Sequence, residues 1–109
     1  MSENVVVSAC IKWLWHYKCF VWRNNTGMGY PPKSKRPVYF GKKGSPDIQG
    51  LTPNGRYIGI ECKAGKGELR PEQDEFRKQV IARGGLYIIA RDSCQALEDM
   101  KEKILSEYW

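Results

Sequence analysis

The chain has 109 residues, a formal net charge of +6 and a sequence pI near 9.2. For these 109 residues the expectation is a single domain over 1–109, large enough for a modest core but not for two. No long uninterrupted apolar run and no signal-peptide pattern occurs, so the expectation is a cytoplasmic protein without a membrane segment.

The positive charge is unevenly placed. Between Asn4 and Pro46 there is no acid, while Lys12, Lys18, Arg23, Lys33, Lys35, Arg36, Lys42 and Lys43 all fall there. A one-signed field of this kind fits a polyanionic partner, with nucleic acid the first candidate. A generic solubilising surface explains the net charge but not the acid-free run. The four cysteines, Cys10, Cys19, Cys62 and Cys94, form no Cys-x-x-Cys pair and lack histidines for a zinc site. They read as reduced, mostly buried thiols.

In chain order, Ser2 to about Tyr17 reads as a helix with Ser2 as N-cap. Val6, Cys10, Trp13, Leu14 and Tyr17 form one apolar stripe, and Val7, Ile11 and Trp15 a second beside it. A helix apolar on two sides is expected to be buried on both, which in a small domain points to a partner chain. Glu3 points towards the buried side, and its spacing leaves two readings open. It is either an acid favoured by the helix dipole or a carboxylate reaching a site. The only histidine, His16, lies on this helix beside aromatics and reads as a packing residue. Lys18 to Arg23 reads as a strand, with Phe20 and Trp22 on one face and Cys19 and Val21 on the other. Asn24 to Lys43 reads as a long functional connection rich in Gly, Pro and Lys. Its cations alternate with Tyr30, Tyr39 and Phe40, a mixture suited to phosphates and unstacked bases.

Two β-type runs then flank Pro53-Asn54-Gly55, the pattern of a hairpin. On its second strand Tyr57, Gly59, Glu61 and Lys63 share one face, and Ile58, Ile60 and Cys62 share the other, core face. Asp47, near the start of the first strand, falls opposite the end of the second. Two carboxylates and an ammonium thus converge. Two carboxylates suit a hard divalent cation such as Mg²⁺, and a neighbouring Lys suits charge developing on a phosphate. The bland alternative is an exposed Glu–Lys pair, which contributes little. Further along, Pro71 starts a helix that ends at Gly84-Gly85, with Phe76, Val80 and Ile81 as its buried stripe. Gln73 faces inward with them, either bonding to backbone or orienting Lys63 or a bound water. Leu86 to Ala90 reads as a short, continuous apolar strand, expected in the middle of the sheet. Asp92 or Ser93 caps a last helix with the stripe Leu97, Met100, Ile104, Leu105 and Tyr108. The order α-β-β-β-α-β-α predicts an α/β fold, a small mixed sheet flanked by helices.

Pro46-Asp47 followed by Glu61-Cys62-Lys63 resembles the Pro-Asp…(Asp/Glu)-x-Lys signature of the restriction-endonuclease-like nuclease superfamily. Gly44-Ser45-Pro46-Asp47-Ile48, Ile60-Glu61-Cys62-Lys63, Gln73 and Gly84-Gly85 together are similar to the virus-type replication-repair nuclease domain, from Glu3 to about Ala90. The resemblance implies Mg²⁺ or Mn²⁺ held by Asp47, Glu61 and the backbone carbonyl of Cys62, with Glu3 as a further acid. It implies Lys63 as the catalytic lysine and Gln73 as a supporting residue. It also implies a stand-alone, phage-type endonuclease acting as a homodimer on branched DNA such as a four-way junction, in a bacterial or phage-infected cell. Lys33, Lys35, Arg36, Lys42, Lys43 and Lys66 are the expected DNA contacts. The rivals are a binding module of the same fold without chemistry, and a sequence-specific restriction-type nuclease.

Overall fold

A computed structural model describes residues 3–24, 27–29, 36 and 38–106, of which 27–29 and 38–40 by their backbone alone. The chain runs α1 (Glu3–His16), β1 (Phe20–Arg23), β2 (Gly27–Gly29), β3 (Val38–Phe40), β4 (Ile48–Leu51), β5 (Tyr57–Lys63), α2 (Pro71–Ala82), β6 (Leu86–Arg91), α3 (Gln95–Asp99) and α4 (Lys101–Leu105). Four strands form one mixed sheet in the order β1-β4-β5-β6. Its first two pairings are antiparallel and the β5–β6 pairing is parallel. The fold is therefore α/β with helices flanking a small mixed sheet.

The β4–β5 hairpin closes as its turn residues dictate. Thr52 and Arg56 exchange backbone and side-chain hydrogen bonds, and Gly55 takes the left-handed φ of 87° that the turn needs. Strand alternation sorts the side chains. Val21, Ile48, Ile58, Ile60, Cys62, Leu86, Ile88 and Ala90 point into the core, where they meet Val6, Val7, Cys10 and Leu14 of α1 and Leu97 and Ile104 beyond the sheet. Full burial of each such side chain contributes about 1.5–3 kcal/mol. The parallel β5–β6 pair needs a crossover, and α2 supplies it on the opposite face of the sheet.

Several expectations change. The strand begins at Phe20 rather than Lys18, because Lys18 adopts a left-handed φ of 69° in the turn after α1. Residues 24–43 are not a structureless connection: β2 and β3 pair antiparallel within them. The second stripe of α1 is not buried throughout. Val7 is buried, Ile11 partly so, and Trp15 is exposed, its indole N–H donating to the Val21 carbonyl at 3.0 Å. No residue of α2 is fully buried, and Ile81 is exposed. The strand β6 forms an edge of the sheet rather than its middle, pairing with β5 alone. The last helix breaks at Met100 (φ −103°, ψ 8°) into α3 and α4. Neither Asp92 nor Ser93 is its N-cap residue. Cys94 is, while the Ser93 hydroxyl accepts the Gln95 N–H at 3.2 Å. The cysteines Cys10, Cys19 and Cys62 are buried as free thiols and Cys94 is partly buried. Ser2, Tyr30, Lys33, Lys35 and Tyr108 lie outside the described residues. Among the described residues no helix is long and apolar enough to cross a membrane.

Candidate active site

Register places the carboxylates together. Ile48 pairs with Ile60, so Asp47, one residue before β4, falls opposite Glu61. The Asp47 Oδ2 accepts the backbone N–H of Cys62 at 2.8 Å, which fixes this carboxylate beside β5. The turn that carries it is pinned by Asn24. The Asn24 amide donates to the Ser45 hydroxyl at 2.6 Å and to the Pro46 carbonyl at 3.0 Å, and its backbone N–H donates to the Asp47 carbonyl at 2.8 Å. Ser45 in turn donates to the Lys42 carbonyl at 2.7 Å. Asn24 was not legible as a site residue, since its partners lie more than twenty positions away and no local pattern marks them.

Two glycines make room for the site. Gly44 has φ 87°, and a Cβ there would sit 2.3 Å from the Glu72 carbonyl oxygen. The Gly-Ser-Pro-Asp turn therefore abuts the first turn of α2, which brings Gln73 to the sheet. A Cβ on Gly59 would meet Pro46 at 2.8 Å, so a glycine lets the proline lie flat on β5 beside Glu61.

Gln73 occupies the third position of α2, and its Oε1 accepts the Arg70 N–H at 2.9 Å. That reciprocal arrangement at a helix start turns its amide NH₂ inward, where it donates to Glu61 Oε1 at 3.3 Å. Of the two readings of Gln73, the backbone bond is present, and its other partner is Glu61 rather than Lys63. The Lys63 Nζ stands 4.0 Å from the same Glu61 oxygen, with its side chain only 14% exposed.

Glu61 is the electrostatic centre. It is 4% exposed, and its Oε2 is buried with no hydrogen-bond partner among the described residues. Burial, then the charge of Asp47, push its carboxyl up to about 8. Lys63 opposes this and Glu3 adds to it. A buried carboxylate with an orphaned oxygen beside a second carboxylate fits a cation as its missing partner. Among the described residues no group of three or more His, Cys, Asp or Glu is placed to hold a metal. Mg²⁺ binds through one or two carboxylates and keeps several waters, and Asp47 and Glu61 are a donor pair of that kind. Glu3 Oε1 instead accepts the Ala64 N–H at 3.3 Å, at the mouth of the site.

One further group faces this site. Tyr87 pairs in register with Gly59, and its hydroxyl is buried without a partner among the described residues. Burial and the charges of Glu61 and Asp47 hold the phenol well above its ordinary pKa. An apolar-looking strand such as Leu-Tyr-Ile-Ile-Ala gives no sign of this, because the face Tyr87 takes depends on the parallel register.

Of the expected DNA contacts, Arg36, Lys42, Lys43 and Lys66 are described, and all are exposed. Lys66 rides on a loop held by Arg91, whose guanidinium donates to the carbonyls of Gly65 and Gly67. Lys42 and Lys43 stand on the rim of a cleft of about 890 Å³, between the hairpin end at Gly55–Tyr57 and α2. The chain matches no protein-family model, and a search of curated proteins gave no significant match.

Proposed function

We propose that the chain is a metal-dependent DNA endonuclease built on the core of the Pro-Asp…(Asp/Glu)-x-Lys superfamily. The observation that carries this reading is Glu61: a buried carboxyl with one orphaned oxygen, next to Asp47 and 4.0 Å from the Lys63 ammonium. Without a cation a buried carboxylate of this kind is costly.

Asp47, Glu61 and the carbonyl of Cys62 would hold Mg²⁺ or Mn²⁺, with Glu3 close enough to add its charge. The ion would supply Lewis-acid polarisation of a phosphoryl oxygen and a more acidic water. The protein's own groups have separate tasks. The Cys62 N–H holds the Asp47 carboxylate in place, and the Gln73 amide does the same for Glu61. Lys63, nearly enclosed, would donate a hydrogen bond that positions the attacking water or stabilises the charge developing on a phosphate oxygen. Arg36, Lys42, Lys43 and Lys66 bind backbone phosphates and fix the duplex without reading its sequence. A preference for branched DNA, the pairing of two copies and a bacterial or phage-infected cell as the setting rest on the family resemblance alone.

Nicking of supercoiled plasmid tests the reading. Mg²⁺ or Mn²⁺ should support nicking, EDTA should stop it, and Asp47→Ala and Glu61→Ala should each abolish it. If either variant nicks at the parental rate, the assignment of the carboxylates is wrong.

A further inference from the structure

Among the described residues, two buried side-chain polar atoms have no hydrogen-bond partner: Glu61 Oε2 and the Tyr87 hydroxyl. Both belong to one place on the sheet. Residues in register point to the same face, so Gly59 has Gln49 beside it on β4 and Tyr87 beside it on β6. Tyr57 and Glu61 flank Gly59 along β5 on that face. The missing side chain at Gly59 opens a hollow that its neighbours fill. A Cβ there would meet the Pro46 ring at 2.8 Å and the Tyr57 hydroxyl at 3.2 Å. Tyr87 and Glu61 are diagonal neighbours across this hollow, with Cα atoms roughly 8 Å apart by sheet spacings. An aromatic and a long side chain span such a separation. Burial, then the charge of Glu61 and that of Asp47, hold the Tyr87 phenol well above its ordinary pKa, which agrees with this proximity.

The other polar groups around the hollow are committed. The Tyr57 hydroxyl donates to Gln49 Oε1 at 3.1 Å. The Gln73 side chain is divided between Glu61 Oε1 and the Arg70 N–H. Arg77, one turn further along α2, gives its Nε and Nη2 to Asp74 at 3.0 and 2.9 Å. The Asp47 Oδ2 accepts the Cys62 N–H. A buried hydroxyl without a partner is destabilising. Phenylalanine would fill the same space without that cost, so the hydroxyl points to a partner outside the chain. Mg²⁺ or Mn²⁺ on two carboxylates keeps several waters, and a tyrosine hydroxyl can accept a hydrogen bond from one of them.

We propose that Tyr87 is a positioning residue of the metal site, its hydroxyl holding a water of the divalent cation that Glu61 binds through Oε2. The ligand is thus a hydrated cation, gripped directly by Glu61 and Asp47 and through its water by Tyr87. The inference rests on the metal-site part of the nuclease reading and adds to it a residue of β6 to which the family resemblance gives no role.

The test is Mn²⁺ binding to the full chain without DNA, read from the electron paramagnetic resonance of the free ion. Urea unfolding in EDTA runs beside it. Tyr87→Phe should weaken Mn²⁺ binding about tenfold or more, the usual effect of losing an outer partner of a metal site. Its urea midpoint in EDTA should equal or exceed the parent's, because the ring stays and an unpaired hydroxyl goes. Tyr57→Phe, which removes a hydroxyl that serves Gln49, should bind Mn²⁺ within about twofold of the parent. Parental Mn²⁺ affinity in Tyr87→Phe would overturn the proposal and leave the carboxylate site standing. So would an equal loss in both variants, or a lower midpoint in EDTA for Tyr87→Phe, which would make the hydroxyl a structural group. A parent that binds no Mn²⁺ would overturn the metal site and the role of Tyr87 with it. Mn²⁺ binding that is lost in Tyr87→Phe, in a parent that cuts no DNA, would sink the nuclease reading alone.

Discussion

Replacing Glu61 by Gln removes the charge of a carboxyl that the fold holds at a pKa of about 8, against 4.5 for an ordinary glutamate. The sign follows from proton binding. Between these two values the folded chain retains a proton that the unfolded chain has released, so stability falls as pH rises through the window. At about 1.4 kcal/mol per pKa unit, the loss between pH 5 and pH 8 comes to roughly 3 kcal/mol. That is a large share of a domain stability of about 5–15 kcal/mol. The assay is urea unfolding followed by tryptophan fluorescence, in EDTA at pH 5, 6.5 and 8. The parent should lose stability along this series and Glu61→Gln should not, so their curves separate by roughly 3 kcal/mol at pH 8. Mg²⁺ at about 100 times its Kd should return on the order of 3 kcal/mol to the parent at pH 8 and little to the variant. Parallel pH profiles for the two proteins would show that Glu61 is not the strained group described here.

Three other outcomes follow from particular contacts. Asn24→Ala removes two amide hydrogen bonds from the Ser45-Pro46-Asp47 turn. It should cost about 1–3 kcal/mol and reduce nicking more than DNA binding, both measurable on one preparation. Gly44→Ala forces a Cβ towards the Glu72 carbonyl at a left-handed φ, and should lower the urea midpoint by an amount equivalent to about 1–3 kcal/mol; an unchanged midpoint would show that α2 does not bear on this turn. DNA affinity should fall steeply with salt, at a slope of about −0.9 per neutralised phosphate. Lys42→Ala with Lys43→Ala should flatten that slope by roughly one to two, and an unaltered slope would remove both lysines from the interface.

The convergence of Asp47, Glu61 and Lys63 was legible because it rests on short-range patterns. Alternation on β5 put Glu61 and Lys63 on one face, and the Pro53-Asn54-Gly55 turn set the register that brings Asp47 opposite Glu61. Pro71 and Gly84 marked the limits of α2, and helical spacing turned Gln73 inward. What escaped depends on contacts distant in sequence or on which neighbour an element meets. The β2–β3 pairing lies in a stretch whose Gly, Pro and Lys content gives no strand pattern. Phe76 and Val80 of α2 look like core but line an open cleft, with Lys42 and Lys43 on its rim in place of another helix. Trp15 looks like a second buried stripe but serves as a donor to the edge of β1. The exposure of Phe20 and Trp22 follows from the edge position of β1, which alternation alone cannot give.

The central claim is metal-dependent hydrolysis of DNA at Asp47, Glu61 and Lys63. The most direct measurement is cleavage of a labelled four-way junction beside linear duplex and single strand, in Mg²⁺, Mn²⁺ or EDTA, with Lys63→Ala as the control. Cutting of the junction should need the metal and vanish in Lys63→Ala, while that variant still binds the DNA. Cutting that persists in EDTA or in Lys63→Ala would contradict it, as would binding of all three DNAs with no cutting under either metal.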